Sequence, residues 1–125
     1  MVKRNVVHIE IPAADLQAAS SFYKQLFDWD IEHIPEMNYA TWASGTGAGD
    51  GGGFNPLSEH VHPREILIYI NSEDIEADLK KAVSLGAKIV QEKMEIPKIG
   101  WFGTFEDPTG NHICLYTSMD PDFNK

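Results

Sequence analysis

The chain has 125 residues, which suits one compact domain burying roughly two thirds of its unfolded surface and is too short for two independent ones. Apolar residues make up 42% and aromatic residues 10%, enough for a real core and against a disordered chain. With 19 acidic against 10 basic side chains and a formal charge of −9, the electrostatics argue against a nucleic-acid partner, whereas a cationic ligand is tolerated.

In chain order, alternation predicts a first strand near Val6 to Ile11, with Val7, Ile9 and Ile11 on one face and His8 and Glu10 on the other, ended by Pro12. Asp15 supplies a capping oxygen for a helix whose apolar stripe is Leu16, Ala19, Phe22, Tyr23, Leu26 and Phe27. Asp28 to Glu32 turns into a second strand, a third spans Tyr39 to Ala43, and a short fourth is expected around Gly53 to Pro56, after the glycine-rich stretch Gly45 to Gly53. Leu57 to Arg64 reads as a polar linker. The second half is expected to begin with a strand at Glu65 to Ile70, followed by a helix from Asp74 to Leu85 that ends on Gly86 as a left-handed cap. Strands at Ile89 to Glu92, Gly100 to Phe105 and His112 to Thr117 follow, with Asp107 to Gly110 as a tight turn. No apolar run approaches the roughly 20 residues of a membrane span, and a single cysteine, Cys114, cannot form an internal disulfide. A cytoplasmic protein with no membrane partner is the expectation.

The halves repeat. VHIEIPAADLQAASSFYKQL, from Val7, lies over ILIYINSEDIEADLKKAVSL, from Ile66, at a constant shift of 59 residues (68 − 9, 74 − 15, 85 − 26), matching Ile9 with Ile68, Asp15 with Asp74 and Leu26 with Leu85. Each copy is too short to bury its own apolar face, so two modules must share one domain over residues 1–125: module one about 5–56, a linker about 57–64, and module two about 65–118. Ile9, Ile11, Leu16, Phe22, Leu26, Ile68, Ile70, Ile75, Leu79, Val83 and Leu85 are the expected core.

His8, Asp15-Leu16 and Phe22-Tyr23 in the first half, with Asp74-Ile75, Leu85-Gly86-Ala87 and EDPTGNHICLY (Glu106 to Tyr116) in the second, resemble the vicinal oxygen chelate superfamily of glyoxalases, bleomycin-resistance proteins and extradiol dioxygenases. The resemblance covers almost the whole chain. It implies an α+β fold in which two tandem βαβββ modules form a curled mixed sheet around a central cleft, and it implies a homodimer. It also implies a divalent metal held by one residue from each of four strands, and here the sequence departs. His8 occupies the first ligand place, but its counterpart 59 residues on is Leu67, the last-strand ligand falls on Cys114, and Gly52 to Asn55 offers no carboxylate. A catalytic metal centre ordinarily needs three protein ligands. No cofactor is therefore expected; if a divalent metal binds, His8 and Cys114 are its donors.

Other patterns carry less. HxH at His60 and His62 reads as a solvent-facing pair in a connector, and Gly47 to Gly52 satisfies GxGxxG without a following helix to present to a phosphate. Cys114 has no basic flank to make it a nucleophile. A metal site built from His8, Glu10, His112 and Cys114 is chemically allowed but lacks the close spacing of a zinc motif. Alternation places His8, Glu10, Trp42, Trp101, Cys114 and Tyr116 on the inner face of the cleft as candidate ligand contacts, with Glu10 offering charge and Trp101 a stacking surface to a cationic group. The expected function is binding of a small organic molecule without the standard metal. A metal-dependent lyase, isomerase or transferase of the glyoxalase type is the alternative, a non-catalytic interaction module the second alternative, and whether any reaction is catalysed stays open.

Overall fold

A computed structural model of the chain describes residues 3–45 and 50–123. The order is β1 (Val6–Ala13), α1 (Leu16–Phe27), β2 (Asp30–Ile34), a 3-10 turn (Pro35–Met37), β3 (Tyr39–Ala43), β4 (Gly51–Pro56), β5 (Leu67–Asn71), α2 (Ile75–Ser84), β6 (Lys88–Ile96), β7 (Gly100–Glu106) and β8 (His112–Ser118). The α+β class and the tandem βαβββ modules are thus as expected. Contacts divide the chain into two compact units: Val7–Leu67 is the first, and the residues from Ile68 onward, joined by those up to Val6, are the second.

The units repeat one plan. In the first, the strands lie in the order β2-β3-β4-β1, with β1 parallel to β4 and the other neighbours antiparallel. In the second the order is β5-β8-β7-β6, and β5 is again parallel to β8. The helix starts are equally matched. Asp15 accepts a hydrogen bond from the Ala18 backbone N–H at 3.0 Å, and Asp74 accepts one from Ala77 at 3.0 Å, each satisfying a donor that the first turn leaves unpaired. At the end of α2, Gly86 takes φ +106°, the Ala87 N–H reaches the Ala82 carbonyl and the Gly86 N–H the Val83 carbonyl, which is a Schellman closure.

The helix of each unit covers one face of its sheet. Under α1 the core is Ala13, Ala40, Trp42 and Phe54, ringed by Ile9, Ile11, Leu16, Ala19, Tyr23, Trp29 and Ile31. Trp42 stacks on Trp29 with centroids 4.1 Å apart, and Trp29 on Tyr23 at 5.2 Å, so aromatic stacking fills this unit. Under α2 the core is Ile75, Leu79 and Leu115, with Ile70, Trp101 and Phe105 packed against it.

Several expectations are corrected. Phe22 and Leu26 are each 58% exposed, Val83 46% and Leu85 72%. The first two lie on the flank of the α1 stripe rather than on its centre, where Leu16, Ala19 and Tyr23 meet the sheet. Ile9, Ile11, Leu16, Ile68 and Ile70 are only half-buried, while Ile75 and Leu79 are buried as expected. Pro12 does not end β1, which continues with Pro12 opposite Asn55 and Ala13 opposite Pro56. The first strand of the second half starts at Leu67 rather than Glu65, and the fourth strand at Gly51 rather than Gly53. β6 runs to Ile96, well past Glu92, because register shifts between Ile89 and Gln91 and between Gln91 and Met94 break the alternation that would have shown it. Part of the glycine stretch, with the GxGxxG reading it carries, lies outside the described residues.

The residues before Val6 complete the second unit. The Asn71 N–H bonds the Asn5 carbonyl at 3.0 Å, the Asn71 side-chain amide bonds the Lys3 carbonyl at 2.9 Å, and Arg4 pairs with Asp78 at 2.6 Å while donating to the Asn71 carbonyl at 3.2 Å. Ser72 donates to the same Asp78 carboxylate at 2.6 Å.

Candidate functional site

Strand parity builds a polar cluster on the face of the first sheet opposite α1. Ile9, Ile11 and Ala13 of β1 point to the helix-side core, so His8 and Glu10 point the other way. On β3, Ala40 and Trp42 belong to that core, which puts Tyr39 and Thr41 on the open face. On β4, Phe54 is fully buried under α1 and its neighbours Gly53 and Asn55 turn outward.

Glu10 is the centre. The Tyr39 hydroxyl donates a short hydrogen bond to Glu10 Oε2, His8 Nε2 lies 3.1 Å from the same oxygen, and Asn55 Nδ2 donates to Oε1 at 3.3 Å. His8 Nε2 also lies 2.7 Å from the Tyr39 oxygen. Since the phenol proton is spent on Glu10, that oxygen accepts from His8, which fixes the imidazole proton on Nε2. The rings of His8 and Tyr39 run nearly parallel, at 17°, with centroids 6.4 Å apart. Glu10 retains 8% of its surface, and an unpartnered carboxylate at that depth would cost several kcal/mol. Burial pushes the Tyr39 hydroxyl far above its ordinary pKa, and the Glu10 charge and the hydrogen bond to it push the same way.

Of the six residues expected on the ligand face, His8 and Glu10 are brought together. Trp42 is not with them: it is buried on the helix side, stacked on Trp29, with its indole N–H on the Gly53 carbonyl at 3.3 Å. Trp101 likewise packs in the core beside α2, with the Lys93 ammonium 5.3 Å from its ring centroid. For both tryptophans the expected face was the wrong one, and a one-residue parity error reverses it. Cys114 and Tyr116 do share the open face of β8, in the second unit. Cys114 is buried with its sulfur 3.3 Å from the Thr104 hydroxyl. Tyr116 donates to the Ile99 carbonyl at 3.3 Å, its own pKa raised by burial, and meets Phe123 edge-on at 5.6 Å. Sequence reasoning missed Tyr39 and Asn55 as site residues. The parity signal existed, because placing Trp42 in the core obliges Tyr39, three residues earlier, to face outward.

The donor set does not fit the metal that the fold family implies. His8 is present but engaged with Glu10 and Tyr39, Leu67 carries no donor atom, Gly53 and Asn55 bring no carboxylate, and Cys114 is hydrogen-bonded to Thr104. Among the described residues no three His, Cys, Asp or Glu side chains are grouped to hold an ion. His112 pairs with Glu106 at 3.2 Å, His60 with Glu59 at 3.3 Å and His62 with Glu65 at 2.6 Å, all on exposed surfaces.

Two βαβββ units, each with its helix on one face of its sheet, define the class: a fold of the glyoxalase, bleomycin-resistance and dioxygenase superfamily. The match to the glyoxalase-like domain family extends over residues 7–116, and the chain belongs to that family. A glyoxylase-like domain-containing protein from Didymella fabae is 27% identical over 115 residues, 87% of this chain and 90% of that one. Among solved structures, methylmalonyl-CoA epimerase from Mycobacterium tuberculosis is similar with a TM-score of 0.71 at 19% identity, over 92% of this chain and 88% of its own. A glyoxalase/bleomycin resistance protein/dioxygenase superfamily member from Vibrio splendidus is similar with a TM-score of 0.67 at 16% identity, over 93% and 100%. At these identities the structural likeness shows the fold.

Proposed function

We propose that the open face around Glu10 binds a small organic molecule and does so without the standard divalent metal. The observation that carries this reading is the convergence of Tyr39, His8 and Asn55 on one nearly buried carboxylate, beside the histidine that the resemblance puts in the first ligand place, while among the described residues no three His, Cys, Asp or Glu side chains are grouped to hold an ion. Glu10 gives the face a fixed negative charge, and the three donors hold it in one geometry, so a ligand with a cationic or hydrogen-bonding group meets a preorganised surface. Cationic aromatic compounds are the probe. They are expected to raise the melting temperature of the wild type by mass action and to lose most of that shift with Glu10→Gln. Equal shifts in both proteins would remove Glu10 from the site, and no shift with any compound would favour a non-catalytic interaction module.

The competing reading, a metal-dependent lyase, isomerase or transferase of the glyoxalase type, rests on His8 in the first ligand place. Elemental analysis separates the two. Protein purified without added metal is expected to carry no stoichiometric zinc, nickel, iron or manganese, and about one ion per chain, lost in His8→Ala, would establish the alternative. A homodimer in solution is part of the proposal, with light scattering as its test.

A further inference from the structure

We infer that Gly53 is a positioning residue for this site: the missing side chain at 53 is what lets the Tyr39 phenol cross β4 and reach Glu10. This deepens the binding reading above and rests on it only for the ligand. The geometry is specific. Glu10 of β1 stands opposite Gly53 of β4, which in turn stands opposite Thr41 of β3, so β4 separates Tyr39 from the carboxylate. A Cβ placed on Gly53 would lie 1.7 Å from the Tyr39 hydroxyl oxygen and 2.1 Å from Cζ of the same ring, and the three atoms it would meet first all belong to Tyr39. Contacts that short are impossible, so any side chain here expels the phenol. The backbone at Gly53 is ordinary strand, so the demand for glycine is one of space and not of φ.

The consequence reaches the metal question. A side chain projecting from β4 onto the open face is what a β4 metal ligand would require, and of the two outward positions flanking Phe54, Asn55 is spent on Glu10 while the space above Gly53 is filled by a ring from β3. Gly53 and Tyr39 therefore act as a pair that puts a hydrogen-bonding phenol where an ion-binding carboxylate would stand.

A double-variant cycle tests the pair without any ligand. Gly53→Ala alone is expected to destabilise the protein, whereas in a Tyr39→Ala background the same substitution is expected to change the melting temperature little, because the clash has gone. Equal losses in both backgrounds would overturn the inference and leave the binding proposal standing. An absorbance titration gives the second readout. Gly53→Ala should gain, relative to wild type, one tyrosine ionising near the ordinary value of about 10, and the gain should vanish in Gly53→Ala/Tyr39→Phe. If Gly53→Ala folds and no tyrosine is released, Tyr39 has kept its place and the inference fails. Should Gly53→Ala not fold, recovery of folding in Gly53→Ala/Tyr39→Ala supports it, and failure to recover refutes it.

Discussion

A carboxylate taken below a sheet surface is tolerated only with donors, and Glu10 is held by those of Tyr39, His8 and Asn55. Removing one donor without changing shape isolates its share. Tyr39→Phe keeps the ring over β4 and deletes only the hydroxyl, so a loss of about 1–3 kcal/mol in denaturant unfolding is expected. The pH dependence has a definite sign. Folding raises the Tyr39 pKa, so the native state keeps a proton that the unfolded chain releases above the ordinary tyrosine value. The stabilisation is fully present below pH about 10 and declines as pH rises beyond it, by up to about 1.4 kcal/mol per pH unit. Unfolding followed between neutral and alkaline pH should show this slope in the wild type and a reduced one in Tyr39→Phe. An identical slope in both would mean that Tyr39 ionises freely in the folded protein.

Among the elements, the two helices carry the clearest internal control. Asp15 and Asp74 make the same cap at 3.0 Å, so Asp15→Ala and Asp74→Ala should each cost about 1 kcal/mol. Leu79 is buried and Leu79→Ala should cost about 2–5 kcal/mol, whereas the exposed Leu26 and Leu85 should each tolerate alanine within about 0.5–1 kcal/mol. Urea unfolding checks all five, and a large loss at Leu26 or Leu85 would show that the face is covered in solution, as a second copy would cover it. The helices, their caps and the Gly86 stop were legible because each rests on local chemistry: an Asp oxygen, a 3.6-residue period, a residue without Cβ. β6 was legible only in its first residues, since bulges erase alternation. The faces of Trp42 and Trp101 were not legible at all, because a strand alone has two equivalent faces and only the packed helix says which is inside. Leu26 and Leu85 mark the same limit in a helix, where periodicity gives the stripe but not its buried width.

At the scale of the whole molecule, the 59-residue repeat foretold two like units, and each has its parallel pair of strands and its capped helix. What the repeat could not foretell is that the polar cluster has been distributed unequally. The place of His8 in the first sequence repeat is taken by Leu67 in the second, and the carboxylate held by a phenol, an imidazole and an amide lies in the first. Lys3, Arg4 and Asn5 add a second asymmetry, since they precede the first unit in the chain yet are bonded to Asn71 and Asp78 in the other. A gene cut within the polar connector 57–64 would therefore not yield two self-sufficient halves: the downstream fragment would be deprived of the Asn71 and Asp78 partners that travel with the upstream one. Such a fragment should be the weaker folder of the two, and should recover when a synthetic peptide covering the opening residues is supplied in trans.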